Sequence, residues 1–186
     1  MLAEGINTKL TIREITELGI FVALAIVLDI PVFKFKIGPN GGSISFVLIP
    51  LFIIAIRHNW WKTLIAASII YSPIACAIGG NGWQSFIFDY ALSYGSIFLI
   101  SLVRNKILSE NKSSYIYLII SVLIFTLSRY IFTCISSMIF YSSNFTQALL
   151  YNVTYVPISS AIGLVTLLVL LKPLKIVNEK YPNINK

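Results

Sequence analysis

Apolar residues fall in six stretches along the chain, roughly 16–33, 44–57, 63–79, 85–103, 115–141 and 148–171, divided by short polar connections. A helix crossing the hydrocarbon core of a bilayer needs about 20 residues, with a range of about 17–25. The first, fourth, fifth and sixth stretches meet that length. The second and third are shorter, and read as short spans or as helices that end beside a cavity. Pro73 breaks or kinks the third stretch, because proline removes a backbone donor and crowds the preceding turn. "IGPNGGS" (37–43) is a turn-forming connection, and "AIGGNG" (77–82) opens the next connection on the same side. No internal repeat is visible, so an architecture of inverted repeats is not expected.

Composition turns this pattern into a class. Of 186 residues, 57% are hydrophobic and only 11% are charged, against about 25% charged in a soluble domain. So few polar side chains do not cover a water-facing surface. The reading is one integral membrane domain, residues 1–186, folded as an all-α bundle of six transmembrane helices. The two cysteines, Cys76 and Cys134, sit in apolar stretches and read as buried thiols. The opening segment "MLAEGINTKLTIREITELG" is polar and amphipathic and lacks the features of a signal peptide.

The net charge of +7 matters less than where the charges lie. Lys9 and Arg13 precede the first stretch. Arg57 and Lys62 lie between the second and third, and Arg104, Lys106 and Lys112 between the fourth and fifth. Lys172, Lys175, Lys180 and Lys186 follow the sixth. The connections "GGNGWQ" and "YSSNFTQ" have no basic residue. Basic residues gather on the cytoplasmic side, so both termini are expected inside. The exception is "FKFKIGPNGG", with Lys34 and Lys36, which read as solvated lysines of an outer loop.

Within the apolar stretches a few polar groups stand out. Asp89 in "SFIFDYALSYGSIF" lies near the outer start of the fourth stretch, and Arg129 lies in the fifth. An ionised side chain at the membrane centre costs from about 2.5 to more than 10 kcal/mol, so such groups pair or face a wet cavity. Asp89 and Arg129 forming a packing pair is one reading; Asp89 facing a ligand is the other. Trp83, Tyr90, Tyr130, Phe140, Tyr141, Tyr151 and Tyr155 enrich the outer halves in aromatics. An interfacial aromatic belt accounts for some of them, but Tyr90, Tyr130 and Asn152 lie deeper. A carboxylate among aromatic faces suits an organic cation, each cation–π contact adding about 0.5–2 kcal/mol. Asp29 reads as an exposed helix-end charge or a loop anchor. Gly19 and Ala23, four residues apart, suit either internal packing or the docking of a partner helix. One histidine, His58, lies in a basic connection, and no nucleophile–base pair, metal cluster or ATP-binding loop is present. The chain is expected not to be an enzyme. A stand-alone carrier coupled to protons or sodium, with Asp89 as the coupling group, stays open at this point.

"PNGGSISFVLIPLFIIAIR" (39–57), "FDYALSYGSIFL" (88–99), "SRYIFTCISSMIFY" (128–141) and "YNVTYVP" (151–157) together resemble the thiamine-specific substrate-binding (S) components of energy-coupling-factor (ECF) vitamin transporters. The resemblance implies a six-helix bundle in a bacterial cell membrane, with a ligand pocket in its outer half under a lid of outer loops. It implies tight binding of thiamine, and docking on an ECF transmembrane coupling protein and two ATPase subunits. ATP is then used by those partners, and no cofactor resides in this chain. Carried over, Asp89 matches the family's acidic pocket residue, Tyr90 its aromatic neighbour, Tyr141 an aromatic over the ligand and Asn152 a pocket asparagine. Tyr130 and Trp83 join them as candidates, and Gly19 and Ala23 match the docking face. Thr133 stands where the family has a histidine, which keeps a related pyrimidine or thiazole compound open as ligand.

Overall fold

The computed structural model describes residues 10–37, 42–80 and 82–182. Helix α1, Ile12–Leu28, begins at a capping box: the Thr11 hydroxyl accepts from the Glu14 backbone N–H, and the Glu14 carboxylate accepts from the Thr11 N–H. Strands β1, Lys34–Ile37, and β2, Gly42–Ser45, form an antiparallel hairpin. Helices α2, Leu48–Arg57, and α3, Trp60–Gly79, follow. Next come α4, Trp83–Leu102, and the long α5, Ser113–Phe140. The last apolar stretch is divided into α6, Phe145–Val153, and α7, Val156–Lys180, by a turn at Thr154 and Tyr155.

Four helical segments are long and apolar enough to cross a membrane: α3, α4, α5, and α6 with α7. Helix α1 has 17 residues and α2 only 10. At 1.5 Å per residue, α2 is about 15 Å long, half the hydrocarbon thickness. Its burial explains how it can be short. From Leu51 to Ile56 no side chain of α2 is more than 8% exposed, as expected of a helix that is apolar on every side. It is the central element, with α1, α4 and α7 packed round it. The outward faces of α1, α5 and α7 instead present Ile20, Leu24, Leu123, Leu127, Val165 and Val169. That is an apolar belt suited to lipid.

Two boundaries differ from the sequence reading. The first apolar stretch predicts helix to residue 33, but α1 ends at Leu28, and a single turn at Pro31–Phe33 leads into β1. The second predicts helix from residue 44, where β2 still runs. The turn expected at 37–43 falls largely outside the described residues, and its flanks are the paired strands. At the next connection Gly80 has φ +68 and Gly82 φ +86, the left-handed region that glycine enters without a Cβ clash.

Pro73 does not break α3. The helix widens to a π-helical stretch over Ile65–Tyr71, and Pro73 sits at the start of the following turns, Ser72–Gly79. Beside it, α4 has a π-helical stretch of its own over Phe86–Leu92. Such stretches displace carbonyls from their usual partners. Here serine hydroxyls reach them across the helix pair: Ser68 donates to the Ala91 carbonyl at 2.9 Å, and Ser72 shares its proton between the Ala67 carbonyl of its own helix at 2.7 Å and that of Tyr90 at 3.0 Å.

One end of the bundle is tied by buried charges. Lys62 Nζ lies 2.5 Å from Glu14 Oε1, with both side chains almost fully buried. Arg57 Nε lies 2.6 Å from Glu17 Oε1, and Arg13 donates to the Tyr181 carbonyl. Arg104 donates to the Arg57 carbonyl. The starts of α1 and α3 and the ends of α2, α4 and α7 therefore meet at one end. This is the end where the sequence gathers its basic connections.

Two outcomes follow. Gly163 faces Phe52, whose ring would lie 2.6 Å from an added Cβ; Phe52 is fully buried and packs edge-on against Phe125 at 5.3 Å. Gly163→Ala is expected to lower stability by about 1–3 kcal/mol, read as a lower melting temperature in detergent, with partial recovery on adding Phe52→Leu. His58 is buried at the charged end, and burial lowers its pKa to about 4. The unfolded chain therefore binds a proton there first as pH falls from about 6.5. Stability is expected to drop between about pH 6.5 and 4 by up to about 3 kcal/mol, and His58→Gln to lessen that drop in melts across this range.

Candidate functional site

The other end of the bundle holds a cavity of about 100 Å³. Its wall is built from the π-helical stretch of α4, the middle of α5, the α6–α7 turn and the hairpin. Asp89 sits in the widened stretch of α4 and lines the cavity. Around its carboxylate stand the hydroxyls of Ser85, Ser136 and Tyr141. Ser85 Oγ and Tyr141 Oη are themselves 3.2 Å apart. Hydroxyl dipoles beside a carboxylate offset part of its loss of water, although Ser136 Oγ makes no hydrogen bond among the described residues.

Five tyrosines stand in the wall: Tyr90 and Tyr94 from α4, Tyr141 at the end of α5, and Tyr151 and Tyr155. Tyr90 and Tyr94 rings lie 6.4 Å apart, and Tyr151 and Tyr155 meet edge-on at 5.6 Å. Arg129 reaches the cavity from α5. Its guanidinium lies over the Tyr94 ring at 4.6 Å, and Nη2 donates to Tyr94 Oη at 3.2 Å. The ion pairs among the described residues do not include Asp89 with Arg129. The packing-pair reading therefore does not describe Asp89, although the Arg129 charge is close enough to act on it.

Thr133 lines the cavity, but its hydroxyl is engaged within α5, near the carbonyls of Arg129 and Tyr130 at 3.1 and 3.0 Å. Its proton is thus held by the helix backbone. Asn152 is fully buried behind the wall rather than on it. It accepts from Tyr155 Oη at 2.6 Å, and its Nδ2 donates to Ser137 Oγ at 2.9 Å and to the Ala148 carbonyl at 2.8 Å. Its geometry fixes the Tyr155 ring. Tyr130 donates to the Leu149 carbonyl at 2.9 Å and borders an outward groove with Leu127 and Pro157. Trp83 is 62% exposed and packs on Phe86. Neither of these two lines the cavity. Gly19 and Ala23 are exposed on α1, away from internal packing.

Asp29 corrects the sequence reading. It is only 2% exposed, lines the cavity, and pairs with Lys34 Nζ at 2.7 Å. It is a loop anchor, as one alternative held, but not an exposed one. Lys34 is likewise not a solvated lysine. The hairpin that carries it covers the cavity and is pinned a second time by Tyr151. Tyr151 Oη accepts from the Gly42 N–H at 2.6 Å and donates to the Ile37 carbonyl at 3.2 Å, so it holds both strands at once. Gly42 allows this approach: a Cβ there would lie 2.7 Å from Tyr151 Oη and from the Tyr155 ring. Sequence reasoning named Tyr151 and Tyr155 only as neighbours of Asn152, and missed the hairpin. The signal was the alternation in "KFKI" and "GSIS" on either side of a turn-forming stretch.

The comparisons with known proteins agree with this architecture. The family model described as thiamine transporter protein matches residues 15–183. The thiamine transporter ThiT of Bacillus subtilis (strain 168) is 29% identical over 160 residues, covering 80% of this chain and 83% of that protein. The solved structure of ThiT from Listeria monocytogenes aligns with a TM-score of 0.65 at 22% identity, over 90% of this chain and 93% of that one. At that identity the likeness establishes the fold. A match spanning nearly the whole chain is decisive for the family, whose members are membrane transporters and not enzymes: the chain belongs to the thiamine transporter protein family.

Proposed function

We propose that this chain is the high-affinity substrate-binding subunit for thiamine uptake in a bacterial cell membrane. In this reading all six apolar segments run through the bilayer with both termini cytoplasmic. An ECF coupling protein docks on the exposed Gly19 and Ala23 side of α1, and two ATPase subunits supply the energy. The observation that carries the proposal is Asp89, an acid inside a membrane helix, facing a tyrosine-walled cavity under a pinned hairpin.

The chemistry of thiamine fits such a cavity. Its thiazolium is permanently cationic, and its aminopyrimidine carries donors for a carboxylate. Asp89 supplies the negative charge and the acceptor. Tyr90, Tyr94, Tyr141, Tyr151 and Tyr155 supply ring faces to the cation. Asn152 acts through Tyr155 by holding its hydroxyl, and Thr133 adds a small side chain where a larger ring would reduce the space. Tyr130 and Trp83 act outside the cavity, at the membrane face and its edge.

Two measurements test the site. Asp89→Asn keeps the shape and removes the charge, and is expected to weaken thiamine binding by about 1–3 kcal/mol, roughly five- to 150-fold. Titration of purified protein by intrinsic Trp/Tyr fluorescence reads this directly; equal affinities would remove Asp89 from the site. Gly42→Ala forces the hairpin off Tyr151 and Tyr155. It is expected to speed thiamine release several-fold, an effect on the dissociation rate. Uptake by vesicles containing only this chain, with no partner subunits, would instead favour an ion-coupled carrier.

A further inference from the structure

The lipid-facing side of α5 and α7 carries an apolar track that ends in charge. On α5, Lys112, at the N-terminal cap, is followed by Ile116, Ile119, Leu123, Leu127 and Tyr130. Steps of three and four residues put them on one face of the helix, and Ile116, Ile119, Leu123 and Leu127 are all exposed. On α7 the same steps link Pro157, Ala161, Val165, Leu168, Lys172 and Lys175. The two faces border one seam. At one end of it, Pro157 lines an outward groove with Leu127 and Tyr130. At the other, Lys175 Nζ lies 5.8 Å from the centre of the Tyr115 ring. The helices therefore run antiparallel, with their lysines at the same end of the bundle.

The groove has a volume of about 210 Å³ and opens where the turn between α6 and α7 interrupts the wall, between Val153 and Pro157. Its two hydroxyls are already engaged: Thr126 donates to the Val122 carbonyl at 2.7 Å, and Tyr130 to the Leu149 carbonyl at 2.9 Å. The groove thus offers carbon to its occupant. At the charged end, Lys112, Lys172 and Lys175 make no ion pair among the described residues. The acids of the same rim, Glu110 and Glu179, are both exposed and are outnumbered. From Lys112 to Leu123, α5 rises about 16 Å at 1.5 Å per residue. The hydrocarbon of one leaflet is about 15 Å deep. The near wall of the groove therefore lies where an acyl tail ends when its headgroup is level with the lysines.

We propose that the α5–α7 seam is a binding site for an anionic phospholipid of the leaflet at the charged end. The phosphate is held among Lys112, Lys172 and Lys175, beside Tyr115, and one acyl chain runs along the seam into the groove. Lysines at a membrane surface attract anionic headgroups, and a tyrosine at the headgroup level suits the same boundary. A second copy of the chain is disfavoured as occupant. A two-fold axis along the bilayer normal would bring the same lysines of both copies together, and like charges repel. The inference is independent of the thiamine reading, since the seam and the tyrosine-walled cavity share no residue but Tyr130's neighbours on α5.

Native mass spectrometry of the purified protein, with dioleoyl phosphatidylglycerol and dioleoyl phosphatidylcholine added in equal amounts, tests the site. Wild type is expected to retain the anionic lipid roughly tenfold or more over the zwitterionic one. Each of Lys112→Gln, Lys172→Gln and Lys175→Gln is expected to lower that preference roughly fivefold, and the triple variant to abolish it. Leu127→Trp fills the groove and is expected to lower retention of both lipids. Glycerol phosphate, a headgroup without tails, is expected not to displace the lipid at equal concentration. Equal retention of the two lipids by wild type overturns the proposal. So does a triple variant that keeps the preference, displacement by glycerol phosphate, or a dimer that forms in place of the lipid complex. If Leu127→Trp does not fold, the lysine variants, which alter side chains outside the core, decide the matter alone.

Discussion

A carboxylate inside a membrane helix is costly unless its oxygens are answered, and the binding end of this protein is arranged around that constraint. Asp89 sits among the hydroxyls of Ser85, Ser136 and Tyr141, with the Arg129 charge acting from a distance and no direct ion pair to it. A direct pair would have closed the site, leaving nothing for a ligand to neutralise. Their dipoles offset part of the cost of burying the acid while its charge stays available. The π-helical stretch that carries Asp89 adds to this, because the widened turn leaves carbonyls for Ser68 and Ser72 to satisfy from α3. Position, solvation and local helix geometry are thus one solution to one electrostatic problem.

The remaining parts of the cavity serve access and rigidity. Asn152 is buried where it touches no ligand space, yet it holds the Tyr155 hydroxyl. Tyr151 binds both strands of the hairpin, and Gly42 lets the strand approach the two tyrosine rings. Asp29 and Lys34 tie the same hairpin to the end of α1. The cover over the cavity is therefore fastened at a few named points, each polar and each breakable. At the opposite end, Glu14, Glu17, Arg57 and Lys62 lock the helix ends through buried pairs. Breaking one partner of such a pair leaves an uncompensated charge, so that end is expected to be the stiffer of the two.

Much of this was readable in the sequence, for physical reasons. Long apolar runs announce membrane helices because the bilayer sets their length, and Asp89 announced itself because charge inside such a run is expensive. What stayed hidden depends on tertiary contact. The hairpin was obscured because each strand has four residues and the prominent feature is the turn between them. The burial of Asp29 follows from Lys34 folding back onto it, which no spacing along the chain reveals. Tyr130 and Asn152 lie in neighbouring turns of apolar helices, and only packing decides that one faces outward and the other sits behind the wall. The shortness of α2 is likewise explained by its burial on all sides, not by its composition.

The central claim is that Asp89 turns its charge toward a bound cation within the tyrosine-walled cavity. A crystal structure of the protein with thiamine added tests it most directly. The account predicts ligand density between Asp89 and the tyrosine rings, beneath the hairpin, with a ligand nitrogen within hydrogen-bonding distance of the Asp89 carboxylate. Thiamine bound elsewhere, or Asp89 closed onto Arg129 with the ligand out of its reach, would contradict it.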